Sequence, residues 1–288
     1  MAITSEMIRD LREKTSAGMM DCKKALEESN GDMQAAADWL RQKGIVKAAK
    51  KADRVASAGL VSAVSCDGRA CLVEVNAETD FVAKNEKFQD LVDMVAQKAL
   101  ASNGDFESTT AGVKDEITNA IATIGENMAL RRIAAVAGDV VFTYIHNPIR
   151  AGMGQIGVAV GFTGDVAKLA EIGPKIAMHI AATKPEFMTI ADVDPAAVER
   201  EKKIFIEGGA TAGKPEQVAE KMITGRIAKY YAESVLEEQP FVMEPSQSVK
   251  AVVAAHGGKL SAFSCFVLGE GIEKRADNLA DEVAKMLG

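Results

Sequence analysis

Residues 59–76, GLVSAVSCDGRACLVEVN, decide the fold. Two apolar runs flank Asp67-Gly68, and an Asp-Gly pair between such runs marks a two-residue hairpin turn, because both central positions take positive φ. A two-residue loop pairs Cys66 with Arg69 rather than with Cys71, so the two thiols do not face each other. The second strand feeds directly into NAETDFVAKNEKF, residues 76–88. From Phe88 onward, Phe88, Leu91, Val92, Val95 and Ala99 recur at steps of three and four, which builds one apolar helix face. Phe81 lies seven residues earlier, at nearly the same azimuth on a continuous helix, but the bridging positions Lys84 and Asn85 are polar. On the residues alone, Thr79 or Asp80 reads as a cap and Phe81 as a staple or core residue, and the broken stripe weighs against the second.

Upstream, three short helices fit the first 44 residues. Ser5 is placed to cap one carrying Met7, Ile8 and Leu11; a second runs over 19–26; and Asp32 caps a third that carries Ala36, Trp39 and Leu40 and ends at Gly44. The following VKAAKKADRVASAG is small, basic and weakly patterned, as a linker is.

Downstream, a helix over 112–124 precedes the strands RRIAAVAG, VVFTYIH and QIGVAVGF, and a further helix spans about 166–183, ending before Pro185. The two hairpin-then-helix units, about 90 residues apart, hint at a duplicated subdomain. Residues 195–236 read as a projecting helical hairpin around GGATAGK. The chain closes with the strand KLSAFSCFVLG and an amphipathic helix over 275–287. The expected fold is α+β with a small helical module in front.

At 288 residues, 48% hydrophobic and 26% charged, the chain can bury more than one core. Four cysteines without a framework read as free thiols in a reducing compartment. His146, His179 and His256 stand far apart and near no ligand-like cysteine spacing, which leaves a structural zinc site unsupported. No signal-like or membrane-spanning apolar run occurs, so a cytoplasmic protein is expected. A net charge of −7 argues against a protein built to grip phosphate backbones. Residues 1–56 carry 11 Lys/Arg against 9 Asp/Glu, or +2, and the remainder 23 against 32, or −9. The basic excess at Lys47, Lys50, Lys51 and Arg54 reads as solvated linker surface rather than an RNA grip.

The one string that resembles a nucleotide site is GGATAGKP. Gly208, Gly213 and Lys214 satisfy the glycine and lysine positions of a phosphate-binding loop. Pro215 stands where that loop needs a magnesium-binding hydroxyl and a backbone N–H, and the preceding EREKKIFIE is charged where a buried strand should deliver the loop. A hydrolase built on residues 208–214 and a scaffold acting through its helical module or hairpin are the alternatives to a binding factor.

Six strings can be weighed together: TSAGMMDCKKAL, TDFVAKN, IGENMALRR, HIAATKPEF, QPFVMEPS and GEGIEK. In this order they closely resemble the bacterial elongation factor Ts family over essentially the whole chain. The resemblance implies a non-catalytic guanine-nucleotide exchange factor for the GTPase elongation factor Tu, with no cofactor, metal or nucleotide site of its own and no membrane or specific nucleic-acid partner. It implies a ubiquitin-associated-like three-helix domain and linker at 1–54 and a core N-subdomain at 55–138. A core C-subdomain follows at 139–194 and 235–269, interrupted by a coiled-coil hairpin at 195–234, a possible homodimer contact, and then a C-terminal helical module at 270–288. Thr79, Asp80, Phe81 and Val82 would enter the partner and dislodge its magnesium, with Asp80 and Phe81 at the tip. Lys23, Ile124, Gly125, His146, Val242 and Met243 would make further contacts. The loop between His146 and Ile156 is longer than the family's commoner short form.

Overall fold

The computed structural model describes residues 3–15 and 17–273, so the expected helix over 275–287 lies outside the described residues. The chain opens with α1 (Ser5–Thr15), α2 (Met19–Glu28) and α3 (Met33–Ala49). Asp32 caps α3 as its pattern predicts: the carboxylate accepts the Gln34 and Ala35 N–H groups, both at 2.8 Å. At α1 the cap is one residue earlier than expected, because the Thr4 hydroxyl takes the Met7 N–H at 3.3 Å. Leu11, Cys22, Ala25, Leu26 and Ala36 form a small core of their own.

The third helix does not stop at Gly44. That glycine is buried inside α3, where an added Cβ would lie 3.5 Å from the Ala122 Cβ, so it permits a close helix contact rather than ending the helix.

Next come β1 (Ala58–Cys66) and β2 (Arg69–Ala77), joined by the Asp67-Gly68 turn with Cys66 opposite Arg69. They are followed by α4 (Asp80–Ala83), α5 (Glu86–Ala101), α6 (Phe106–Ile124) and β3 (Met128–Ala137). The second helix begins at Phe106, not at Gly112, because the Asp105 carboxylate accepts the Ser108 N–H at 2.7 Å and starts the helix there. Then follow β4 (Val140–His146), β5 (Met153–Gly154), β6 (Ile156–Gly164) and α7 (Val166–Thr183), whose end before Pro185 is as expected. After it stand α8 (Pro195–Glu207), α9 (Glu216–Ser234), β7 (Pro240–Phe241), β8 (Glu244–Ser248), α10 (Val249–Ala255) and β9 (Gly258–Val267).

The strands make an antiparallel sheet in the order β3-β2-β1-β5, a second in the order β4-β6-β9, and the small β7-β8 ribbon. Alternate side chains of the hairpin go to opposite faces. Leu60, Cys71, Val73 and Val75 meet Phe88, Val92 and Val95 of α5 and Val113 of α6. Val61, Ala63, Ala70 and Leu72 turn the other way, onto Ala159 and Phe266 of the second sheet. The far face of that sheet, with Val158, Val160 and Phe162, is covered by Leu169, Ile176 and Ile180 of α7 and Val252 and Val253 of α10. The stack is thus helix, sheet, sheet, helix, and strands buried on both faces account for the nearly unbroken apolar runs. Close approach of the sheets depends on Gly157 and Gly161: a Cβ at the first would fall 2.5 Å from Val61 Cγ1, and at the second 2.6 Å from the Ala137 carbonyl oxygen.

The segment after His146 is not a free loop. It returns to the first sheet, where Met153 and Gly154 pair with Ser62 and Val61, and Met153 is buried in the first core. Arg150 pairs with Asp90 of α5 at 2.6 Å. His146 keeps its place at the end of β4, opposite Ile156.

Candidate functional site

The tip string does not open the Phe88 helix, as a continuous reading would have it. Two separate helices meet there. Lys84 closes α4, with its N–H bonded to the Phe81 carbonyl at 3.2 Å, and the Asn85 side chain caps α5 by accepting the Lys87 N–H at 3.0 Å. The polar pair that interrupts the apolar stripe is therefore a helix boundary. Val82 and Ala83 are buried against the first core, while Asp80 is exposed and Phe81 is 77% exposed. A four-residue helix thus has its underside embedded and its aromatic in solvent.

Thr79 stands at the N-cap position of α4 but makes no side-chain cap. Its hydroxyl donates to Glu126 Oε1 at 2.7 Å and its N–H to Glu126 Oε2 at 3.0 Å. In return the Glu78 carboxylate accepts the Asn127 N–H at 2.6 Å. The segment linking the N-terminal helices joins the same junction. Lys51 Nζ donates to the Gly125 carbonyl, Asn127 Nδ2 donates to the Arg54 carbonyl at 2.8 Å, and Arg54 pairs with Glu78 at 3.5 Å. Lys47 pairs with Asp21 at 3.0 Å. The basic surface is solvated as expected, with Lys50 and Arg54 exposed, but three of its four basic residues also have partners within the chain.

Ile124 ends α6, half-buried against the first core, and Gly125 follows in the left-handed conformation at φ 93°, which turns the chain toward Glu126. Ile124, Gly125 and the tip thus belong to one junction. His146, Val242 and Met243 come together elsewhere, around a concavity of about 450 Å³ that Tyr144, Met178 and Lys184 also line. Val242 and Met243 are 45% and 51% exposed at the turn between β7 and β8. Lys23 stands apart on α2, exposed and 3.8 Å from Glu27.

The turn bearing Val242 rests on a buried histidine. Because the Val242 N–H can only donate, His179 Nδ1 accepts it, at 3.3 Å, and the ring proton sits on Nε2, facing Gln239 Oε1 at 2.8 Å. Thr183 also donates to that oxygen, at 2.9 Å. Burial pushes the imidazole below its ordinary 6.5, opposed by the Gln239 bond.

A buried charge ties the sheets together. Glu74 is fully buried in β2; its Oε1 accepts from Arg131 at 3.0 Å, Asn76 at 3.0 Å and the Gly269 N–H at 2.9 Å, and its Oε2 from Arg132 Nε at 2.6 Å. Burial alone would raise this carboxyl. The bonds from Gly269, Arg132, Asn76 and Arg131 outweigh it and hold the group below its ordinary 4.5. Arg132 also donates to the Val267 carbonyl at 2.8 Å and lies over the Phe266 ring at 4.2 Å. Much of IGENMALRR and GEGIEK is thus architectural.

Glu126, Glu78 and Glu74 are not singled out in the sequence reading, and His179 enters it only as an unsupported zinc ligand. The available signal for Glu74 was a lone carboxylate within the apolar run CLVEVN, and for Glu126 an acid directly after a helix-ending glycine. The phosphate-loop-like string, residues 208–214, is a largely exposed turn connecting α8 to α9, with no strand delivering it. Among the described residues no cluster of three His, Cys, Asp or Glu is arranged to hold a metal ion, and the cysteines are unbonded.

A family model described as Elongation factor TS matches residues 78–270. The protein from Paracoccus denitrificans (strain Pd 1222) described as Elongation factor Ts is 52% identical over 291 residues, covering 99% of this chain and 98% of that one. Its namesake from Caulobacter vibrioides is 50% identical, with 99% and 98% covered, and that from Rhodospirillum centenum 48% identical, with 99% of each covered.

Proposed function

Since the chain belongs to the elongation factor Ts family, non-catalytic nucleotide-exchange factors for elongation factor Tu, we propose that it releases GDP from that partner by inserting Asp80 and Phe81 and displacing the partner's magnesium. The observation that carries this reading is Phe81, 77% exposed on a helix whose next two side chains are buried. An aromatic on a seated turn loses little entropy when it wedges into another protein. Asp80 beside it brings a negative charge toward the partner's metal ligands.

One wedge does not suffice. A thousandfold faster release needs about 4 kcal/mol of differential stabilisation, while burying one phenylalanine is worth roughly 1.5 to 3 kcal/mol. Ile124 and Gly125 at the same junction, the concavity of His146, Val242 and Met243, and Lys23 on α2 share the task. Each helps only so far as it binds the nucleotide-free partner more tightly. Nucleotide in turn weakens the factor's grip.

Within this reading, residues 1–54 form the ubiquitin-associated-like module, 195–234 the coiled-coil hairpin, and the protein works in the cytoplasm. Exposed Ile204, Ile206 and Val218 on the hairpin favour self-association there. Sedimentation tests that point, and a monomer at every concentration removes it.

Release of labelled GDP from elongation factor Tu tests the main proposal. Phe81→Ala should slow stimulated release by roughly 10- to 150-fold, from the burial range above, without altering the unfolding midpoint of the free factor. Full stimulation by both Phe81→Ala and Asp80→Ala would remove the wedge.

A further inference from the structure

A helix of four residues does not hold its own shape, since isolated helices below roughly 12 to 15 residues are marginal in water. The tip must therefore be set by what surrounds α4. From below it is seated by Val82 and Ala83, and the Ala83 carbonyl accepts Gln89 Nε2 at 3.0 Å. Those contacts fix the height of the turn. Its direction is set at the other end, where Thr79 adjoins Asp80.

There both donors of Thr79 are taken by the two oxygens of one carboxylate, at 2.7 and 3.0 Å. A fork grips position and orientation together, which a single bond does not. The crosswise bond from Asn127 to Glu78, at 2.6 Å, keeps the two strands of the junction in register. Glu126 does this through Thr79, leaving the Phe81 ring free in solvent.

We propose that Glu126 is a positioning residue for nucleotide exchange, holding Asp80 and Phe81 in the inserting pose through its two-point grip on Thr79. This rests on the proposed role of the tip. Without the grip, the turn before Phe81 must be ordered during insertion. The loss falls on the release step, because the concavity and the N-terminal helices still supply the initial binding.

The experiment is stimulated GDP release as a function of factor concentration, using full-length variants. Glu126→Gln keeps the shape but presents an amide NH₂ to one Thr79 donor. It should lower maximal release about tenfold, the cost of ordering roughly one residue, while the half-maximal concentration changes by less than about twofold. Combined with Phe81→Ala, the same substitution should add clearly less than it costs alone, the remainder acting through Asp80. Thr79→Val should fall in the same way, and Thr79→Ser, which keeps both donors, should lie nearer the wild type.

If Glu126→Gln matches the wild type while Phe81→Ala is impaired, Glu126 has no positioning role and the tip reading stands. Normal release by Phe81→Ala sinks the tip reading itself, and this inference with it. Additive losses in the double variant would make Glu126 a general fold support and overturn the proposal. Should Glu126→Gln fail to fold, the Thr79 pair decides: equal losses in Val and Ser refute it.

Discussion

Replacing Glu74 by glutamine tests the clamp between the two sheets at a single atom. The amide oxygen can stay where Oε1 receives Arg131, Asn76 and Gly269, but the NH₂ replaces Oε2 and meets the Arg132 Nε–H, now 2.6 Å from its acceptor. One charge-assisted bond, worth roughly 1.5 to 3 kcal/mol, becomes a donor facing a donor. Breaking a fully buried pair costs about 3 to 5 kcal/mol. Both arginines are 28% exposed, so water recovers part of that and the lower end, about 3 kcal/mol, is expected. With a urea slope of about 3 kcal/mol per molar, the midpoint should fall by about 1 M. The Gly269 amide should exchange its hydrogen faster, because its acceptor loses its charge.

Acid supplies a second reading. The folded carboxyl titrates below its ordinary 4.5, so its stabilisation is complete above that value and is lost as pH falls through the lower, folded one. The gap between wild type and variant should close over that range. A midpoint shift below about 0.2 M at neutral pH, with an unchanged slope, would refute the assignment of the clamp to this charge.

For His179 the sign is that of a base made harder to protonate. The unfolded chain takes the proton first, so stability is complete above about 6.5 and declines as pH drops below it. In an NMR titration the His179 ring should titrate below 6.5, with the Val242 amide shifting in step; a midpoint at or above 6.5 would contradict its burial in neutral form. Gly173→Ala places a Cβ 2.1 Å from two Phe142 ring atoms across the interface of α7 with β4. Displacing that ring should cost about 1 to 3 kcal/mol, and an unchanged melting temperature would show that the ring has room to move.

Local chemistry was legible in the sequence, and distant partnership was not. The Asp67-Gly68 hairpin and the end of α7 at Pro185 each rest on residues adjacent in the chain, and both stand as read. Gly44 and Gly112 misled because a glycine weakens a helix in isolation, whereas Gly44 is kept in α3 by its contact with Ala122. The exposure of Phe81 was half-visible in the polar interruption at Lys84 and Asn85. Nothing near Thr79 points to Glu126, which is 47 positions away, and the arginines that neutralise Glu74 lie 57 and 58 positions beyond it. The two residues of β5 are too few to show any periodicity.

Those two residues carry a consequence for how the molecule can be divided. A fragment cut after residue 138 would strip β1 of its outer neighbour and leave the seat of Met153 vacant, while the complementary piece would carry a buried methionine with nowhere to go. Neither half is a detachable part, although each has its own helices and sheet. The border between them is sewn rather than hinged, and a tug on the His146 end of the seam reaches β1, the strand that opens the hairpin leading to Phe81.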